Sequence, residues 1–217
     1  MSASLKIFLS AFMSLLTFLS FVIYSIVTSI TPGPNNIMLA ASGLNFGFKK
    51  SIPHILGIGF GFGVMVSLVG FGIGATLGQS AVMYEMLKII GIVYLLYLAY
   101  KIYGAGSVQA EERPEKPLNF IGAALFQWVN PKAWIMAMGA IATYSTVDSH
   151  LAEFIFIGTV FGVVSIPCVG IWAYMGERLQ KIVNNQKKVQ LFNGSMALLL
   201  VISIIKPSID SVKFFFF

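Results

Sequence analysis

Charged residues are sparse along this chain, and long apolar stretches separate them. The first stretch without Lys, Arg, Asp or Glu runs from Ile7 to Phe48, which is 42 residues. A second runs from Ser51 to Tyr84. The third, Ile89 to Tyr100, is short, but extending it to Met83 and Tyr103 admits charges only near its ends. A fourth spans Leu118 to Val147 and holds one charge, Lys132. The fifth and sixth are Phe154 to Gly176 and Val189 to Ile205. A helix crosses a bilayer with about 20 apolar residues. The pattern therefore predicts an all-α membrane protein with six transmembrane helices.

The first stretch is too long for one straight helix, and Thr31-Pro32-Gly33-Pro34-Asn35-Asn36 lies near its middle. Proline removes a backbone donor and clashes with the preceding turn, and glycine permits angles that other residues avoid. The helix must break here. The break is either a tight turn joining two spans, which gives seven, or an interruption within one span. The second reading keeps six and leaves residues 1–14 as an N-terminal extension. A cleaved signal peptide would show a short apolar core and a small-residue cleavage site, whereas the apolar character here continues to Pro32.

Composition agrees. Hydrophobic residues make up 57% and charged residues 10% of the 217, with a mean hydropathy of +0.85. That balance excludes a disordered chain, a nucleic-acid-binding domain and an ordinary soluble enzyme, whose surface needs more charge. The net charge is +6, and its distribution fits membrane topology. Lys49, Lys50, Lys101, Arg113, Lys116, Arg178, Lys181, Lys187 and Lys188 follow spans one, three and five. Only Lys6, Lys88, Lys206 and Lys213 fall on the other side. Positive residues favour the cytoplasm, so the loops after spans 1, 3 and 5 are predicted to be cytoplasmic. Cys168 is the sole cysteine, which leaves no disulfide within one chain and reads as a small buried hydrophobe.

Polar groups inside the apolar runs carry the candidate chemistry. Asn35 and Asn36 sit at the first break, where freed backbone groups are tolerated only against protein or a water-filled cavity. Asn130-Pro131-Lys132 repeats the theme in span four, and an ionisable residue within a span is a functional candidate by default. The alternatives are a plain proline kink for the first and a snorkelling lysine for the second. The two features are 98 residues apart, and each begins a group of three spans. An odd number of spans per group turns the second group upside down, as in inverted-repeat transporters with discontinuous helices. Span two holds Gly57, Gly59, Gly61, Gly63, Gly70, Gly72, Gly74 and Gly78. Their small-xxx-small spacing predicts close helix packing. No metal-binding or hydrolytic motif occurs, so neither metal nor cofactor is expected. Asn193-Gly194-Ser195 matches a glycosylation sequon at a span end and reads as chance. The Phe214–Phe217 run has no functional account.

These residues resemble the lysine exporter family of bacterial amino-acid exporters. The string from Thr31 to Asn36 looks like its signature. Gly91–Lys101 resembles its third span, Phe126–Ala133 the start of its fourth, and Asn193–Ser203 its last. The likeness covers about residues 15–209. It implies six spans, residence in the bacterial inner membrane, and export of amino acids or their derivatives driven by the proton gradient. It also implies that the first helix is broken at Pro32-Gly33-Pro34, which favours six spans over seven. Residues 15–209 would form one transporter domain, with repeat halves at about 15–110 and 114–209 and a C-terminal tail at 210–217. Asn36, Gly47-Phe48, Gly59 and Gln127–Asn130 are most similar to the cysteine/O-acetylserine exporter branch; threonine/homoserine export is the neighbouring option.

One departure stands out. Many members of that family carry an aspartate in the second span, where this chain reads Gly59-Phe60-Gly61-Phe62-Gly63. Proton coupling would then fall to Glu85, Glu153, Glu177, His54, Lys132 or a neutral cavity. The expected function is a secondary transporter, not an enzyme, that exports small amino acids. Its expected substrate-binding residues are Pro32, Gly33, Pro34, Asn35, Asn36, Gln127, Asn130, Pro131 and Lys132. The alternative is a passive small-solute channel using the same breaks. Partners would be the amino-acid substrate, the proton gradient, membrane lipid and, through the glycine-rich span, a second copy of the chain; no nucleic acid is expected.

Overall fold

Proline and glycine punctuate the apolar runs, and the helices end where they fall. The computed structural model describes residues 15–73, 81–104, 116–145, 151–182 and 185–216; the expected extension at 1–14 lies outside them. The described residues form eight α-helices: α1 Leu15–Ile30, α2 Pro34–Phe46, α3 Phe48–Leu68, α4 Ala81–Gly104, α5 Phe120–Phe126, α6 Pro131–Tyr144, α7 Leu151–Ile182 and α8 Gln186–Phe216. A π-helical turn, Val69–Ile73, extends α3, and a 3₁₀ turn, Gln127–Val129, extends α5. The chain is all-α among the described residues.

Glycine sets two of these boundaries. Gly47, between α2 and α3, has φ +84°, and Gly72 in the turn after α3 has φ +93°. Both angles lie in the region that side-chain-bearing residues avoid. The second point divides the uncharged run from Ser51 to Tyr84, because α4 already starts at Ala81. The expected tail also changes character: α8 continues through residues 210–216.

Among the described residues, three helices are long and apolar enough to cross a membrane: Phe48–Gly72, Leu151–Leu179 and Gln186–Phe216. The pair α1 and α2, bent by 57° at residues 31–33, counts as a fourth span if the two form one broken helix. That bend sets α2 at an oblique angle to α1, short of the reversal that a hairpin makes.

Backbone contact holds the helices together. The most extensive pairing joins α3 to α7. A Cβ added at Gly63 would lie 2.8 Å from the Gly158 carbonyl oxygen, and one at Gly162 would lie 2.6 Å from that of Gly59. The other glycine row of α3 faces α5, where a Cβ at Gly57 or Gly61 would collide with the backbone at Phe120 or Ala124. Likewise α2 lies flat on α7: added Cβ atoms at Gly43 and Gly176 would collide with the carbonyl oxygens of Ala173 and Ala40. Among helices in an apolar medium, such close approach replaces the hydrophobic drive available in water. The expected packing role is what the structure shows at Gly57, Gly59, Gly61, Gly63 and Gly70; Gly72 has nothing within 4 Å of an added Cβ, and Gly74 and Gly78 lie outside the described residues.

Aromatic rings fill the remaining interior. Phe161 of α7 meets Phe62 of α3 at 4.7 Å and Phe21 of α1 at 5.7 Å between centroids, both edge to face. An amide pair ties α2 to α8: the Asn45 Nδ2 donates to Asn193 Oδ1, and the Asn193 Nδ2 donates to Asn45 Oδ1, each at 2.9 Å. Asn193 is fully buried, so the apparent sequon is an internal contact. Outward faces remain apolar, with Leu16, Ile23, Phe60, Val93 and Ile202 all exposed. Helices apolar on every side suit lipid.

Two expectations follow from this packing. Gly43→Val should destabilise the protein by about 1–3 kcal/mol through overpacking, measured as a lower Tm in detergent. Gly104→Ala should leave the Tm unchanged, since nothing lies within 4 Å of its added Cβ. A double-mutant cycle on Asn45→Ala and Asn193→Ala should return a coupling of about 0.5–1.5 kcal/mol.

Candidate functional site

The two helix breaks meet. At the first, α1 ends at Ile30 and α2 restarts at Pro34, where a missing N–H costs nothing. Its last carbonyls have lost their intrahelical donors. At the second, the 3₁₀ turn ends at Val129, Asn130 adopts an extended conformation, and Pro131 starts α6. The Asn130 side chain caps that helix by accepting from Lys132 N at 3.1 Å. This fixes the start of α6 and aims the Lys132 side chain back across the first break.

Lys132 Nζ donates to Thr31 O at 2.6 Å, Thr31 Oγ1 at 2.9 Å and Pro32 O at 3.3 Å. The ammonium thus sits at the C-terminal end of α1, where the helix dipole favours a cation. Its stem covers Gly33, where an added Cβ would come within 2.6 Å of Lys132 Cδ. Asn36 completes the work: its Nδ2 donates to Ser29 O at 2.9 Å and Thr31 O at 2.7 Å. Trp172 of α7 donates to Ile30 O at 3.0 Å.

Asn35 faces the other way and joins the two breaks directly. Its Nδ2 donates to Gln127 Oε1 at 2.9 Å, and Gln127 Nε2 returns a bond to Asn35 Oδ1 at 3.3 Å and another to Ala123 O at 2.8 Å. Gln127 is fully buried, and Asn36 and Asn130 nearly so. Gly33, Asn35, Asn36, Gln127, Asn130 and Lys132 all line one small cavity of about 30 Å³. Pro32, Pro34 and Pro131 shape its ends and do not line it. Ser29 and Ser165 do line it, though the sequence reading passed over them. Ser29 Oγ is buried with no partner among the described residues. The signal for Ser29 lay in the four-residue spacing of Ser25 and Ser29, which puts two hydroxyls on one face of an apolar helix.

Lys132 has no acidic partner among the described residues, whereas Glu85 pairs with Lys88 at 2.6 Å. Glu85 also accepts from Ser211 of α8 at 2.8 Å. Glu177 accepts from the Phe48 backbone N–H at 2.7 Å and so caps the start of α3. Both carboxylates hold helices in place away from the breaks. Glu153 lies in the first turn of α7. His54 is buried, and neither of its ring nitrogens has a partner among the described residues. No group of three or more His, Cys, Asp or Glu suited to a metal ion occurs among them.

The profile of the LysE type translocator matches residues 26–203 of this chain. A cysteine/O-acetylserine efflux protein of Salmonella choleraesuis is 29% identical over 181 residues, covering 82% of this chain and 90% of its own. The protein of the same description in Escherichia coli is 30% identical over 183 residues, with the same coverage. An uncharacterized membrane protein of Vibrio cholerae is 33% identical over 79 residues, 36% of this chain and 38% of its own. No solved structure matches the chain. With the profile spanning both helix breaks and the clasp between them, the chain belongs to the family of LysE type translocators.

Proposed function

We propose that this protein is a secondary exporter of small amino acids or their derivatives, with cysteine or O-acetylserine as the first candidates. Threonine and homoserine are the next. One observation carries the reading: the ammonium of Lys132, half-buried at the helix break, is held by two carbonyls and a hydroxyl with no acidic partner among the described residues, and three amides stand near it. A partly desolvated cation without a counter-ion is costly, and a substrate carboxylate is the anion that would offset it.

The architecture that fits has six spans. Helix α4 has 24 residues, and α5 with α6 covers a similar length across the Asn130 break, so each can serve as a span beside the four already counted. The halves, residues 15–110 and 114–209, would then be inverted repeats, each opening with a broken helix. The excess of positive charge in the loops after spans 1, 3 and 5 supports a cytoplasmic location for them, with the protein in a bacterial inner membrane.

The clasp suggests a mechanism. A cavity of about 30 Å³ holds about one water, not an amino acid, so the arrangement suits an empty, closed intermediate. Substrate entry would exchange bonds within the protein for bonds to substrate: the carboxylate replaces Thr31 and Pro32 carbonyls on Lys132, and the α-ammonium takes acceptors released when Asn35 and Gln127 part. Such exchange of like for like costs little net free energy, which lets the halves alternate between faces. The energy source is the proton gradient in this reading. Relatives named as efflux proteins, together with a closed clasp, favour this over a passive channel.

Proteoliposomes loaded with labelled cysteine, O-acetylserine, threonine or homoserine should release one or two of them against a concentration gradient when a proton gradient is imposed. Release that only follows the concentration gradient would establish the channel instead. Asn35→Ala and Lys132→Leu should each lower the transport rate at least about tenfold, the effect of roughly 1.4 kcal/mol, while membrane insertion stays normal. Wild-type rates in both variants would remove the clasp from the pathway.

A further inference from the structure

Helix α2 continues beyond the clasp as one wall of a larger space. Asn35, Met38, Ser42 and Asn45 recur at three- and four-residue intervals and so share a face. The first belongs to the clasp. The other three line a cavity of about 400 Å³ closed by His54 of α3, Tyr94, Leu98 and Lys101 of α4, and the segment 116–122 that leads into α5. That volume lies within the range of about 300–1,000 Å³ typical of small-molecule sites. It adjoins the ends of α2 and α4 and the starts of α3 and α5, which the distribution of positive charge assigns to the cytoplasmic side.

Its chemistry is graded. Lys101 and Lys116, both exposed, stand at the rim, with Lys101 Nζ 5.6 Å from the centre of the Tyr97 ring. Deeper in, the polar groups of the wall are mostly engaged with one another. Asn45 is paired with Asn193, and Ser42 shares a 2.7 Å hydrogen bond with Ser51. His54 differs: it is 2% exposed, and both ring nitrogens are unpartnered. A neutral imidazole carries one donor and one acceptor, and leaving both unmet in a buried wall is costly. Among the described residues that line the cavity none is acidic.

We propose that this cavity is the loading site, in which a small zwitterionic amino acid binds before it reaches the clasp, and that His54 is a binding residue there. The substrate carboxylate is drawn to Lys101 and Lys116. Its α-ammonium donates to the unprotonated nitrogen of His54. The shared face of α2 then leads it one helical turn from Met38 to Asn35. This inference rests on the exporter reading and adds a second, separate station to it.

The test uses the full chain with Cys168→Ser, so that introduced thiols are the sole ones. In lipid nanodiscs, labelling of the thiols introduced by Leu98→Cys and Met38→Cys with a small maleimide should slow in the presence of the transported member of the threonine, homoserine and O-acetylserine panel. Labelling of the thiol introduced by Gly104→Cys should not change. In proteoliposomes, His54→Leu should raise the apparent KM about tenfold with the maximal rate and Tm maintained. A merely structural His54 would show unchanged KM and an equal or higher Tm, because an unsatisfied polar group has been removed. Transport without protection of either thiol, or with an unchanged KM in His54→Leu, overturns the loading site and leaves the exporter standing. Protection without any transport upholds binding in the cavity and overturns the exporter reading. Neither protection nor transport overturns both.

Discussion

A helix interrupted in an apolar chain frees backbone carbonyls from their intrahelical donors, and much of this structure is arranged around meeting them. Four consecutive carbonyls, from Ser29 to Pro32, each receive a side-chain donor. The donors come from three places: Asn36 just beyond the break, Trp172 on α7, and Lys132 at the start of α6. No single element could supply them. The break in α1 therefore requires α6 and α7 to be where they are, and the break before α6 requires α2 in return through Asn35 and Gln127. Each interruption is stable only in the presence of the other.

The surrounding helices make that mutual dependence geometrically attainable. Trp172 can reach Ile30 because α2 lies backbone to backbone on α7 at Gly43 and Gly176. The neighbouring seam of α3 and α7 sets the depth at which α7 sits. Small residues thus act at a distance on the polar centre: they fix how near the donors come to carbonyls that they never touch. The carboxylates are used in the same spirit. Glu177 caps α3, and Glu85 ties α4 to α8, so the acidic groups nearest the spans serve as joints.

Much of this was legible in the sequence, and the reason is local. Two prolines around a glycine dictate a break wherever they fall, and an asparagine ahead of a proline dictates a capped restart. Lys132 could be recognised as out of place from its apolar neighbours alone. What the pattern left open was the direction of each side chain. Nothing in one dimension says that Lys132 turns toward residue 31, that Asn36 serves backbone while Asn35 serves another break, or that Asn193 pairs with an amide 148 positions away. These depend on which helix faces which. Charge is equally silent on where the helix through Ser51 ends: the positive φ of Gly72 falls within an uncharged run.

The seam between α3 and α7 carries one more implication. Interlocked side chains resist displacement, since each knob must leave its hole before the helices can shift. At Gly59, Gly63, Gly158 and Gly162 the backbones themselves touch, and only Ile166 and Ser67 reach into the gaps at Gly59 and Gly158. Such a surface is a gauge as much as a joint. It fixes the spacing between the helices to the width of two backbones, and any slide of α3 along α7 must carry Ile166, Ser67 and the Phe62–Phe161 ring pair with it.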